Sequence, residues 1–315
     1  MIEKLAPKRK IKEKIKQDIK YKVWLIKKHR THYLFMAPFA ILFCLFVLLP
    51  VAIAIYLSFT SFNILEAPRP IGISNYSKLF LNDDIFLVSL KNTINIACIV
   101  GPGGYILSFF FAWLINELSR LMRVVFTIIF FAPSLAGGML TVWTFFFSGD
   151  ANALVNGTLI NLGFISEPIV FFQNPSYMMP LILTVSLWMS LGTTFLSFIA
   201  GFQGIDKQYY EASAIDGVKN RWQELWYVTL PLMRPQLIFG AVISITAAFS
   251  VGEVVTALCG FPSAGYAAHT LMNHLVDYGT IRYEMGYACA IATVLFFLML
   301  GSNMLVQKLI HKFGT

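Results

Sequence analysis

An all-α membrane protein with six transmembrane helices is the fold class this sequence predicts, and three observations carry the prediction. Of 315 residues, 57% are hydrophobic and 13% are charged; soluble domains run at about 45–50% and about 25%. Six stretches stay apolar over the roughly 20 residues that a spanning helix needs. Lys and Arg collect in alternate segments between those stretches, the pattern of a multi-pass chain. The same composition excludes a soluble globular enzyme, a disordered chain and a secreted disulfide scaffold.

Residues 1–32 hold twelve of the 24 Lys and Arg. Ile11, Ile15, Ile19 and Val23 recur every four residues among them, an apolar helical stripe with a cationic face. This basic amphipathic segment is read either as a helix lying on anionic membrane lipid or as a tail that only sets orientation. Nucleic acid is not expected as a partner, because an apolar run follows at once. That run is long enough to span, and the basic stretch before it is too extended for a cleavable secretory signal.

The predicted spans are residues 33–59, 93–115, 124–147, 178–201, 236–255 and 286–307. Pro50, Pro102, Pro133 and Pro180 fall inside them or at their ends, which membrane helices tolerate when neighbours satisfy the freed carbonyls. Residues 168–175 are apolar but too short to cross, and are placed at the outer interface. Arg120, Arg123, Lys207, Lys219, Arg221, Arg234, Lys308 and Lys312 fall on the side of the basic N-terminal segment, whereas only Arg69, Lys78, Lys91 and Arg282 fall on the other. The positive-inside rule then puts both termini in the cytoplasm. The chain reads as a cytoplasmic segment, 1–32, followed by one membrane domain, 33–312, without internal repeats.

Chemistry-bearing motifs are few. Cys44, Cys98, Cys259 and Cys289 form no C-x-x-C pair, so they are read as small buried hydrophobes, with no zinc or redox site. No Gly-Lys dipeptide occurs, which excludes a G-x-x-x-x-G-K nucleotide loop. No H-E-x-x-H occurs, and His269 and His274, in an outer segment, are read as surface or rim residues. No metal site and no enzymatic constellation are expected.

The most informative stretch is the loop 204–231 between the fourth and fifth spans. Asp206 is placed to cap a short helix. Ala212, Ser213 and Ala214 keep its side chains small, and Gly217 is where it stops, since glycine takes positive φ without a Cβ clash. Asn220 is placed to cap a second helix, on which Trp222, Leu225 and Trp226 share a face that should pack under the bundle or at the membrane interface. Pro231 suits the start of the next helix. The result is a helix–turn–helix knob pointing into the cytoplasm.

This stretch resembles the EAA signature of the permease subunits of bacterial ATP-binding-cassette importers: Glu-Ala-Ala, three residues, Gly, then Ile-x-Leu-Pro. Here it reads Glu211-Ala212-Ser213, Gly217 and Val228-Thr229-Leu230-Pro231. Ser213 stands for the second Ala, and the interval from Gly217 to Pro231 is one residue longer than usual. The resemblance covers about residues 85–312 and is nearest to the carbohydrate, maltose-type branch. It implies that Tyr210, Glu211, Ala212, Ser213, Ala214, Asp216 and Gly217 form a coupling helix that sits in a cleft of a separate ATPase. It implies as partners a second permease subunit, two such ATPases, which bind the ATP and Mg, and an extracellular or periplasmic sugar-binding protein. This chain would hold no cofactor and would reside in the bacterial plasma membrane.

Intramembrane polar and aromatic groups are the first candidates for a substrate path. The fourth span carries Ser186-Leu187-Trp188-Met189-Ser190-Leu191-Gly192-Thr193-Thr194. By the resemblance, sugar would meet Leu187, Trp188, Ser190 and Thr193, then Ser244 and Ala248 on the next span; Trp188 reads equally as a helix-packing residue. Glu253 is the only carboxylate inside a predicted span. It is read chiefly as a structural or gating partner of Arg282, and otherwise as a contact for a sugar hydroxyl or a group reaching outer water. Asn92 and Asn95 are expected to satisfy neighbouring helices, and Trp143 to anchor at the interface. The outer segments 63–90 and 148–177 are expected to touch the binding protein. A stand-alone transporter driven by an ion gradient is the alternative, but proton and sodium relays usually need several intramembrane carboxylates.

Overall fold

The computed structural model describes residues 24–25, 28–135 and 138–313. The stripe Ile11, Ile15, Ile19 and Val23 lies outside the described residues. The chain divides into two compact units, residues 1–56 and 57–315.

In the first unit, α1 (Arg30–Phe43) runs through a π turn at Cys44–Leu48 into α2 (Leu49–Leu57). Together they form an apolar helix of 28 residues, Arg30–Leu57, whose most apolar 18-residue stretch has mean hydropathy 2.9. At about 1.5 Å per residue it reaches about 42 Å, more than a hydrocarbon core of about 30 Å. The π turn falls directly before Pro50. Proline offers no N–H to the Phe46 carbonyl, and the wider turn carries the helix past that gap.

Among the described residues the second unit is mainly helical, with a two-residue antiparallel pair, β1 (Thr60–Ser61) with β2 (Arg69–Pro70). Its helices are α3 (Ser74–Leu81), α4 (Asp84–Asn116), α5 (Arg120–Leu135), α6 (Met139–Phe146), α7 (Leu154–Asn161), α8 (Pro175–Met189), α9 (Thr193–Gln203), α10 (Lys207–Ile215), α11 (Arg221–Glu224), α12 (Leu230–Leu232), α13 (Arg234–Phe249), α14 (Gly252–Cys259), α15 (Leu271–Val276) and α16 (Met285–Phe313). The long helix α4 is the axis of the unit and packs against α13, α9 and α8. Close approach is built into its Gly101-Pro102-Gly103-Gly104 run. A Cβ at Gly104 would stand 2.6 Å from Ser190 Cβ, and one at Gly103 2.9 Å from a Leu187 methyl. With lipid tails as apolar as leucine, such backbone proximity and tight van der Waals packing hold membrane helices together.

Among the described residues four helices are long and apolar enough to cross a membrane, or six if each of two bent pairs is one span. The predicted spans differ from the observed helices in three instructive ways. The second begins at Asp84 rather than residue 93, because Phe86 and Ser89 are buried in protein rather than exposed to lipid. The third is two helices, α5 and α6, set at 80°. The fifth ends at Phe249; after Ser250 and Val251 a separate helix, α14, carries Glu253. Glu253 therefore stands beyond that span, is exposed, and is not the partner of Arg282, which pairs with Asp277 at 2.7 Å. The cysteines also differ from expectation: Cys44 and Cys98 are exposed, and Cys259 and Cys289 are half-buried.

Candidate coupling knob and polar cavity

The knob begins where Asp206 caps α10, its carboxylate accepting the Gln208 N–H at 3.1 Å. It ends as the residue types dictate. The Gly217 N–H reaches the Ala214 carbonyl at 3.3 Å and the Val218 N–H reaches that of Ser213 at 3.0 Å, with Gly217 at φ +97°. These two bonds make a Schellman ending, which needs a left-handed residue at this place. Ser213 turns inward and is buried, while Glu211, Ala212, Ala214, Asp216 and Gly217 are exposed and Ile215 is 88% exposed. Tyr210 is half-buried, and its hydroxyl lies 3.0 Å from Thr229 Oγ1.

Asn220 caps α11 by accepting the Gln223 N–H at 2.9 Å. The Arg221 guanidinium then bridges Glu224 at 2.9 Å and Glu117 at 3.1 Å, so the second half of the loop is tied to the C-terminal end of α4. The expected apolar face is only partly covered. Leu225 is buried, and Trp222 packs on Trp113 with centroids 5.0 Å apart, but Trp222 and Trp226 both remain exposed. Pro231 opens only the three-residue α12, and the chain turns by 80° before α13 begins at Arg234 and Pro235.

The fourth span is broken within its polar run. Helix α8 stops at Met189, α9 starts at Thr193, and Gly192 bridges them. The freed Ser190 carbonyl accepts the Ser108 hydroxyl at 3.2 Å, which is how a broken membrane helix satisfies its backbone. Beside the break is a cavity of about 260 Å³, lined by Ser134, Ser186, Ser190, Thr193, Thr194, Ser244 and Ser250 together with apolar side chains. Thr194 and Ser244 share a hydrogen bond of 3.1 Å across it. Ser186 Oγ is buried and has no partner among the described residues.

Ser190, Thr193 and Ser244 thus meet at one cavity. Leu187 packs at Gly103, and Trp188 meets Trp143 edge to face at 5.3 Å. Ala248 is buried against Gly101 at a helix crossing, which accounts for its small size. Ser186 and Thr194 lie in the same polar run as the expected residues, and their spacing on one helix face was the signal that could have found them.

At the other end of α4 is a buried knot that the sequence does not announce. His269 and His274 are core residues, not rim residues, at 2% and 1% exposure. The Asp83 carboxylate accepts from Tyr287 at 2.7 Å, from His274 at 3.0 Å and from the Phe86 N–H at 2.8 Å. Asn92 donates to the carbonyls of Ala267 and His269, both at 3.0 Å, and so serves a loop rather than a helix. Burial lowers the pKa of both histidines, His269 to about 4. Burial alone would raise that of Asp83, but Tyr287, Phe86 and His274 outweigh it and hold it below the usual value.

A helical membrane protein with interrupted spans around a small cavity that carries hydroxyl groups is, as a class, built like a transporter. Residues 104–312 match the family described as binding-protein-dependent transport system inner membrane component, and the chain belongs to that family. It is 30% identical over 275 residues to the probable ABC transporter permease protein YesP of Bacillus subtilis, covering 85% of this chain and 86% of that one. It is likewise 30% identical to the arabinooligosaccharides transport system permease protein AraP of the same organism, over 91% of this chain and 90% of the relative. A chain in the crystal structure of a bacterial alginate ABC transporter, in complex with an alginate pentasaccharide-bound periplasmic protein, shares the fold. Its TM-score is 0.74 at 20% identity, covering 92% of this chain and 97% of that one.

Proposed function

We propose that this chain is one of two membrane-spanning subunits of an ATP-driven, binding-protein-dependent importer of oligosaccharides. It sits in a bacterial plasma membrane with both termini in the cytoplasm. Residues 1–32 are the basic cytoplasmic segment and residues 33–312 the permease domain. A second, different permease completes the path, and an outer sugar-binding protein delivers the solute. Two ATPase subunits hold ATP and Mg, and their closure displaces the knob so that the cavity opens alternately to each side.

The observation that carries this reading is the knob itself. It is a helix capped at both ends that presents Glu211, Ala212, Ala214 and a nearly bare Ile215 to solvent. Small side chains permit close approach, and Ile215 offers an apolar anchor for a partner. Glu211 is positioned for an ion pair, worth more when desolvated at an interface than in water. The seryl and threonyl hydroxyls around the cavity suit a hydroxyl-rich solute, and the relative AraP is named for arabinooligosaccharides.

The test is uptake by the complete transporter in proteoliposomes, using a panel of labelled oligosaccharides bound to the binding protein. Uptake should require enclosed ATP and survive ionophores. Uptake driven by a proton or sodium gradient without ATP would establish the alternative, a stand-alone secondary transporter.

A further inference from the structure

The covalent path from the knob helix α10 to α13 runs through Gly217 and the exposed turn after it. Contacts through space offer movement of α10 a more direct route into the bundle than this turn does. Among the described residues Tyr210 is the only α10 side chain that hydrogen-bonds to another element, at Thr229. Thr229 is buried and closes the π turn Leu225–Thr229. Its carbonyl accepts the Met233 N–H at 2.9 Å, and Met233 is the fully buried corner where the chain bends by 80° into α13. Helix α13 carries Ser244 to its bond with Thr194 at the cavity. π turns of this sort recur at functional sites in helices.

We propose that Tyr210 is a positioning residue for energy coupling: its hydroxyl pins the knob to the elbow at Thr229, so that displacement of α10 moves α13 and the cavity wall at Ser244. This rests on the knob being the contact with the ATPase. Glu211 then faces the partner while Tyr210, one residue earlier, faces its own chain.

The experiment uses the complex with its partner subunits in nanodiscs, with the native cysteines replaced. Spin labels are placed in pairs: Lys207→Cys with Lys308→Cys reports the knob, and Thr246→Cys with Met304→Cys reports α13. The probe is Mg-ATP trapped with vanadate. Both distances should shift in the parent protein. In Tyr210→Phe and in Thr229→Val the knob distance should still shift, while the fraction of molecules with α13 displaced falls several-fold. The double variant should match either single one, because one contact is lost in each case, and Thr229→Ser should behave as the parent. An α13 shift of full size in Tyr210→Phe overturns the proposal. A knob that fails to move in the parent protein overturns the coupling reading and this proposal with it.

Discussion

His274 Nε2 lies 3.0 Å from Asp83 Oδ2 across 191 residues of sequence, and both side chains are buried. With Tyr287 on the same carboxylate oxygen, Asp83 caps α4 and fastens α15 and α16 to its start. Removing the carboxylate leaves the Phe86 N–H, the His274 Nε2–H and the Tyr287 hydroxyl without their acceptor. Each buried unpaired group costs about 1–3 kcal/mol, and a lost cap about 1 kcal/mol. We expect Asp83→Ala to lower stability by about 3 kcal/mol or more, and Tyr287→Phe by about 1 kcal/mol. Thermal unfolding of the purified protein in detergent measures both, and equal stability of Asp83→Ala and the parent would refute the knot.

The same cluster makes stability depend on acid. Burial first, and then the neighbouring His274, bring His269 down from 6.5 to about 4; His274 is lowered by burial against the pull of Asp83. Histidines in the unfolded chain take up protons below about pH 6.5, while the folded ones resist. The unfolded state therefore binds more protons in that range, and its share of the equilibrium rises. Stability should be full above about pH 6.5 and fall between there and about pH 4. A series of apparent Tm values against pH reads this, and His269→Gln should flatten the slope.

Helix proximity at the cavity predicts a size exchange. A Cβ at Gly104 would overlap that of Ser190, so Gly104→Ala should destabilise the protein by about 1–3 kcal/mol through overpacking. The double variant Gly104→Ala with Ser190→Gly should recover most of that loss in the same unfolding assay. Additive losses would place the two helices further apart than described.

The knob predicts loss of function without loss of the membrane protein. Gly217→Pro forbids φ +97°, because proline holds φ near about −65°. Glu211→Lys reverses the charge that the knob presents. Both variants should insert into the membrane at parental levels, yet abolish transport-linked ATP hydrolysis in the assembled complex. Full transport by both would remove the coupling role from this loop.

The parts legible in the sequence depend on neighbours along the chain. Hydropathy marked the apolar stretches because lipid acts on each span separately. Asp206, Gly217 and Asn220 marked the knob because caps act over three or four residues, and the observed bonds are local ones. The EAA resemblance added the family, which the match over residues 104–312 shares. Glu253 was misplaced because hydropathy does not register the break at Ser250 and Val251, and its pairing with Arg282 yielded to the nearer Asp277.

From its own chain order, then, this protein determined the composition of its apolar segments and the caps of its knob. Tertiary structure alone decided that the fourth span breaks beside Gly104, that Ser186 and Thr194 join Ser190 and Ser244 at one cavity, and that His269 and His274 are core residues. Those outcomes depend on which helix approaches which, and at what distance. Residues 191 and 204 positions apart meet at Asp83, and no local pattern encodes such a meeting, because the carboxylate that makes burial of His274 tolerable comes from a distant part of the chain.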